Sequence, residues 1–300
     1  MASFRLYNIQ LLPLDTSRTP DVGIKGYQRL FSALRDAHGT AIETKTLVDS
    51  SYKLPHETYF AAFTVAANVK YARGKWVKYH KAETVVDLYT NKSLFTAADG
   101  DTAVSNTHLF RFVFDYGSHR LAIEELGGRL PSSNSLIKAF ESILKPIANQ
   151  EFPEYTLTVN LVSETKALEQ ALAEAIGFRR VEVQITFPNG HELSQRLRNM
   201  RDNNVHVVKV EASSDKDAMM PSLPDFILEL VRASTDYGRS KFTYIKEKFA
   251  GRQVYSSENY PEKLQMRQKN SEQETAFIDR VFARVKAMVT TPAVNPIERE

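Results

Sequence analysis

Two segments of the chain combine basic and aromatic residues in a pattern that could bind a phosphate backbone. The first is residues 68–82 (NVKYARGKWVKYHKA), and its predicted binding residues are Lys70, Arg73, Lys75, Trp76 and Lys78. Cations attract phosphates and release their counterions, while aromatic faces can stack nucleobases. We therefore predict backbone contacts by the cations and stacking by Trp76 and Tyr71. The alternative is a solvated hairpin with lysines and packed rings.

The second basic and aromatic segment is residues 232–252 (RASTDYGRSKFTYIKEKFAGR). Its predicted binding residues are Arg239, Lys241, Lys246 and Lys248. A strand over 241–248 would have no cleanly apolar face, which favours a position at the edge of a sheet. Edge strands often carry lysine only to prevent aggregation. The alternative for this segment is therefore an edge strand whose lysines bind no ligand.

A possible catalytic pattern begins at Pro20-Asp21 and continues at Glu43-Thr44-Lys45. It resembles the PD…ExK pattern of a large superfamily of metal-dependent nucleases. The resemblance implies that Asp21 and Glu43 hold Mg²⁺, and that Lys45 helps to activate water or to stabilise charge. However, Asp21 precedes a predicted helix instead of lying on a strand, and there it could simply complement the helix dipole. A nuclease is therefore the alternative to simple binding.

Other common kinds of catalytic site are excluded by residue type and spacing. The chain has no cysteine, which removes thiolate metal sites and cysteine nucleophiles. None of its seven histidines pairs with another at the i, i+4 spacing of a helical metal site, and no phosphate-loop, dinucleotide-binding or serine-elbow motif occurs. Outside the nuclease alternative, we predict no catalytic residue, no metal and no cofactor.

The composition is that of an ordinary globular protein. Hydrophobic residues make up 42% of the 300 residues and charged residues 25%. No apolar run is long enough to span a membrane, and the first residues do not read as a signal peptide, so we expect a cytoplasmic protein. The net charge of +3 is too small to require a polyanionic partner by itself.

The periodicity predicts an α+β fold with a mainly antiparallel sheet and helices packed on one face. The clearest hairpin is 108–125, where glycine in a short turn separates two β-rich runs. From 108 to 187 the predicted order is strand–strand–helix–strand–helix–strand, followed by a mixed C-terminal part. Before this core, residues 24–38 predict a helix that Gly39 ends, and residues 41–48 predict a strand.

Polar loops suggest where the chain could divide. We predict an N-terminal α+β part over 1–105, an α+β sheet core over 106–212 and a mixed or helical part over 213–300. These parts form one or two compact domains. The helix predicted over 274–289 has apolar residues at helical spacing, so it could bind a partner or pack on the protein's own core.

Three stretches carry a resemblance to an uncharacterised bacterial and phage family associated with defence and mobile elements. They are residues 4–14, the hairpin 108–125 with its following helix at 132–144, and residues 180–190 with its helix. More loosely, the chain is similar to RexA-like phage-exclusion proteins. The second resemblance implies DNA binding and a sensor or effector role in abortive infection, often with a partner protein.

The leading hypothesis is thus a non-enzymatic nucleic-acid-binding protein, for DNA or RNA, that contacts mainly the phosphate backbone and acts in phage defence. The second is a Mg²⁺-dependent nuclease that uses Asp21, Glu43 and Lys45. The third is a subunit that assembles with itself or with a neighbour-encoded protein. All of them predict a protein without a membrane partner.

Overall fold

The computed structural model describes residues 1–82, 84–98, 101–187, 195–216, 218–247 and 251–290. The helices within these ranges are α1 (Gly23–Glu43), α2 (Ser133–Glu151), α3 (Thr165–Glu174), α4 (Gln195–Asp202), α5 (Asp225–Tyr237) and α6 (Glu274–Thr290). The strands are β1 (Ala2–Pro13), β2 (Tyr52–Leu54), β3 (Thr58–Ala67), β4 (Tyr71–Lys81), β5 (Thr84–Val86), β6 (Ser93–Thr96), β7 (Val104–Asp115), β8 (Arg120–Glu124), β9 (Tyr155–Leu161), β10 (Gly177–Thr186), β11 (Val207–Ser213), β12 (Gly238–Ile245), β13 (Gln253–Ser256) and β14 (Lys263–Met266).

A large antiparallel sheet organises the molecule. Its strand order is β14-β1-β8-β7-β4-β3-β2, and β9 also pairs with β1. Strand β1 is long enough to pair with β8 on one side and with β14 and then β9 on the other. Since β14 lies near the end of the chain, this strand holds distant parts of the sequence in one sheet.

Helices α1 and α2 cover one face of the large sheet. Tyr27, Leu30 and Phe31 of α1 are fully buried there, as their helical spacing predicts. The predicted end at Gly39 and the strand over 41–48 are wrong, because α1 continues to Glu43. A glycine inside a helix costs only about 1 kcal/mol, and packing of the last turn, which buries Ala41, offsets that cost.

Helix α6 covers the opposite face. Its apolar residues Phe277, Ile278, Val281 and Val285 are buried against strand residues that include Phe4. The predicted helix is confirmed, and its apolar face packs on the protein's own core. That face is therefore not available to a partner in this structure.

A second antiparallel sheet has the order β11-β10-β12-β13. Alternate residues of β10 and β12, among them Val181, Ile185 and Phe242, are buried in a separate core together with residues of α3 and α5. The other alternate residues of these strands form the outer face of this small sheet. A third, two-stranded pairing joins β5 and β6.

The predicted α+β class, the mainly antiparallel pairing and the strand–strand–helix–strand–helix–strand order are confirmed, since β7, β8, α2, β9, α3 and β10 follow in that sequence. Two details differ: β10 belongs to the small sheet, and α6 adds a helix to the second face of the large one. The large sheet takes strands from all three predicted parts, and position 105 lies inside β7. No helix in the described ranges is long and apolar enough to cross a membrane.

Candidate anion-binding site

The structure distributes the first predicted segment over both faces of β4. Arg73 and Lys75 lie on the face that α6 covers, and Lys75 Nζ is 3.0 Å from Glu274 Oε1. Lys78 lies on the opposite face with Trp76, because side chains alternate along a strand. Lys70 is exposed just before β4 begins. The cations of this segment therefore do not form one surface.

The prediction that Trp76 stacks on nucleobases is wrong. Its side chain is fully buried, parallel to Phe60 at a centroid distance of 5.4 Å and edge-on to Phe140 at 5.1 Å. Tyr71 is likewise occupied, because its ring stacks on Phe282 at 4.4 Å and its hydroxyl donates to Asp279. Trp76 therefore offers no free face to a base, and one face of the half-buried Tyr71 ring is covered by Phe282.

Part of the second predicted segment forms β12, and its cations lie close to carboxylates of other elements. Arg239 lies 3.8 Å from a carboxylate oxygen of Glu258, and Lys241 is directly opposite Glu182 on β10. Lys246 Nζ is 2.5 Å from Glu174 Oε2. Each of these cations has a carboxylate close to it, which reduces its attraction for a phosphate.

Lys248 falls outside the described residues. Two aromatic residues of the same segment, Phe242 and Tyr244, are buried in the core of the small sheet, whereas Tyr237 is half-buried. Neither Phe242 nor Tyr244 is available for stacking on a base.

The predicted nuclease site is wrong in its geometry. Asp21 precedes α1 and Glu43 is its last residue, so the full length of a 21-residue helix separates them. At a rise of 1.5 Å per residue that separation is about 30 Å, far too long for two ligands of one Mg²⁺ ion. Lys45 lies 3.7 Å from Asp101 instead. Within the ranges that the structure describes, no group of three histidines or carboxylates could hold a metal.

One group of cations does come together, at the end of β4 next to the aromatic core. Lys78 on β4 is directly opposite His108 on β7. Directly opposed residues of an antiparallel pair share a face, and their Cβ atoms lie about 5 Å apart. His80 follows on the same side of β4, and its Nε2 is 3.4 Å from the hydroxyl of Thr58.

A bulge in β7 follows the Lys78–His108 pair. The β4–β7 pairing shifts by one residue between Lys78 and His80, and Asn106 has a positive φ of 50° there. Asparagine tolerates this conformation better than most residues, and bulges often change the direction of nearby side chains. The pair itself keeps the regular register of the two strands, and beyond the bulge His80 lies opposite Ser105.

The loop between β8 and α2 brings the fourth basic residue. Gly127 and Gly128 both have positive φ, a conformation that glycine adopts without a steric penalty. The tight loop turns Arg129 towards β4, where the carbonyl oxygen of Arg129 accepts a hydrogen bond from Lys78 Nζ. We call Lys78, His80, His108 and Arg129 the basic cluster.

The basic side chains of the cluster repel one another's positive charge. Burial lowers the pKa of His108 below its ordinary value, and Arg129, Lys78 and His80 lower it further. Burial and Arg129 also lower the pKa of Lys78. Among the described residues, no carboxylate contributes to either shift. Like charges held together in this way favour a bound anion.

Only Lys78 of the basic cluster was predicted from the sequence. His80 and His108 are missed because their proximity depends on β4 and β7 pairing across residues 82–103, which local periodicity does not reveal. The Gly127-Gly128 pair is a visible turn signal, and it could have drawn attention to Arg129.

The comparisons with known proteins identify a family. The chain has no match among curated proteins. A family model described as "Domain of unknown function (DUF4747)" matches residues 4–286, which include nearly all of both sheets, most of α6 and the basic cluster. Because this match spans far more than half of the sequence, the chain belongs to the DUF4747 family.

Proposed function

We propose that this protein binds the phosphate backbone of a nucleic acid without catalysing a reaction on it. The observation that carries the proposal is the basic cluster, where four basic side chains meet and no described carboxylate contributes to the shifted pKa values. A phosphate supplies the missing negative charge and releases its own counterions into solution. Arg129 is exposed and so accessible to such a ligand.

The same surface argues for contacts with the backbone rather than with bases. The rings nearest to the basic cluster in sequence, Trp76 and Tyr79, are buried. Contacts to phosphates fix position but carry no direct sequence information. We therefore expect binding that depends strongly on salt and little on sequence. The proposal includes a cytoplasmic location and a role in phage defence, and the latter rests on the family resemblance alone.

A titration at two ionic strengths tests the proposal. Labelled DNA and RNA oligonucleotides, single-stranded and double-stranded, are titrated with the full chain at about 50 mM and about 200 mM salt. The fluorescence anisotropy of the label measures binding. If the cluster neutralises about three phosphates, the slope of log K against log salt is about −2 to −3. Absence of binding at low salt with micromolar protein would contradict the proposal, and the preferred oligonucleotide distinguishes DNA from RNA.

A further inference from the structure

Within the described ranges, strand β9 has one edge that pairs with no other strand. It bonds to β1 on one side, and Val162 N donates to Leu6 O at 3.1 Å just beyond its end. At its other end, Leu14 N donates to Glu154 O at 2.8 Å. In an antiparallel ladder every second residue directs both its N–H and its C=O to the partner. Both bonds join even-numbered residues of the two strands. The odd-numbered residues of β9, such as Leu157, therefore direct their N–H and C=O groups away from β1.

Val159 stands in the same register as Leu157 and also directs its N–H and C=O outward. Among the described residues, no backbone or side-chain group bonds to the outward groups of either residue. Their side chains are buried in the core under α2, which holds the strand in place. The result is a fixed row of unpaired donors and acceptors, the arrangement to which another strand can bond.

This edge borders a cleft of about 440 Å³. Its other lining residues come from α2, from β10 and β12, and from the segment after β13. The volume falls within the usual range for ligand sites. The unpaired row therefore faces the cleft at Leu157 and Val159, and next to it Asn160 Nδ2 donates to Thr186 Oγ1 of β10 at 2.8 Å.

Polar side chains line the cleft. Asn134 Nδ2 donates to Glu258 Oε2 at 3.3 Å, and Arg239 Nη2 donates to Gln184 Oε1 at 3.2 Å between neighbouring strands of the small sheet. Glu141 on α2 also lines the cleft, and burial raises its pKa. Amides and both charge signs suit a peptide backbone, which has donors and acceptors. Carboxylates repel a phosphate backbone, so this cleft is unsuited to nucleic acid.

We propose that the edge of β9 accepts an extended peptide segment of a partner protein as an added strand. Main-chain hydrogen bonds to Leu157 and Val159 supply affinity, and the amide and charged side chains of the cleft select the peptide. This site uses none of the residues of the basic cluster, so the two proposals fail or succeed separately.

Amide hydrogen exchange on the full chain tests the edge directly. In the free protein, the amides of Leu157 and Val159 are expected to exchange quickly, whereas those of Thr158 and Asn160, which face β1, exchange slowly. The probe is a synthetic peptide selected from a random-sequence phage-displayed library. Its binding is expected to protect Leu157 and Val159. Protection of these amides already in the free protein, or peptide protection elsewhere, would overturn the proposal.

One variant of the chain and one series of modified peptides extend the test. Val159→Pro removes an outward N–H and leaves the ladder to β1 intact, so it is expected to weaken peptide binding about tenfold or more. If that variant does not fold, the wild-type protein is tested with two sets of N-methylated peptides, one methylated at odd and the other at even positions. Methylation is expected to abolish binding in the set whose methylated N–H groups face β9 and to leave the other set unaffected. Equal effects in both sets, or protection of the edge by an oligonucleotide instead of a peptide, would contradict a strand at this edge.

Discussion

The basic cluster and the outer face of the small sheet contain the same kinds of cation but differ in what surrounds them. On the small sheet, Lys241 and Arg239 lie beside Glu182 and Glu258. At the end of β4, Lys78 meets two histidines and Arg129, and among the described residues no carboxylate shifts its pKa. Charge density along the sequence is similar, so strand register decides which surface attracts an anion.

The largest expected effect is the loss of stability when Trp76, a buried core residue, is replaced. Replacing it in Trp76→Ala empties a site inside the aromatic core and is expected to lower the free energy of unfolding by about 3–5 kcal/mol. Urea denaturation measures this loss. The milder Trp76→Phe should leave oligonucleotide affinity unchanged. If Trp76→Ala kept normal stability but lost oligonucleotide binding, the ring would belong to the binding interface and not to the core.

The next effect tests the cations of the cluster. Lys78→Gln combined with Arg129→Gln removes two of its charges and is expected to weaken oligonucleotide binding about tenfold, since each phosphate contact contributes to affinity. Anisotropy titration measures it. Lys75→Gln is the matched control on the same strand, because Glu274 already neutralises Lys75. A larger loss in the control would contradict the assignment.

A smaller effect concerns pH. The pKa of His108 lies below its ordinary value in the free protein, and a bound phosphate favours its protonated form. Binding therefore takes up a proton, and affinity rises as pH falls below about 6.5, by about threefold to tenfold.

Titrations at several pH values measure this dependence, and it should disappear in His108→Gln combined with His80→Gln. His119 provides the contrast. Burial lowers its pKa to about 4, so it stays neutral over this range. An unchanged pH dependence in the double variant would show that other groups take up the proton.

The smallest effect belongs to the small sheet. Arg239→Gln and Lys241→Gln are expected to change oligonucleotide affinity less than about twofold, because neighbouring carboxylates already balance these charges. The same titration measures it. A loss as large as that of the Lys78 and Arg129 variant would remove the distinction between the two surfaces.

Local sequence pattern predicted the elements better than it predicted the site. The hairpin at 108–125 and the helix that contains Phe31 follow from alternation and helical spacing, which depend only on neighbouring residues. The face on which Lys75 and Lys78 lie depends on register. A one-residue difference, as between Trp76 and Lys75, moves a side chain from the buried core to the other face.

The basic cluster depends on contacts between distant segments. His108 meets Lys78 only because β7 pairs with β4 after an intervening hairpin, and Arg129 arrives through a loop that needs two glycines with positive φ. The balance of charge on the small sheet is similarly invisible until Glu182 of β10 lies opposite Lys241. Such pairings are properties of the sheet, and no single segment contains them.

Charge reversal at both surfaces, measured side by side, tests most directly whether the anion site lies at the end of β4. Lys78→Glu with Arg129→Glu, and Arg239→Glu with Lys241→Glu, change the net charge equally, so long-range attraction falls equally in both. We predict that oligonucleotide binding at low salt is lost in the first pair and retained, with a modest reduction, in the second. Equal losses in the two pairs would contradict a localised anion site at the end of β4.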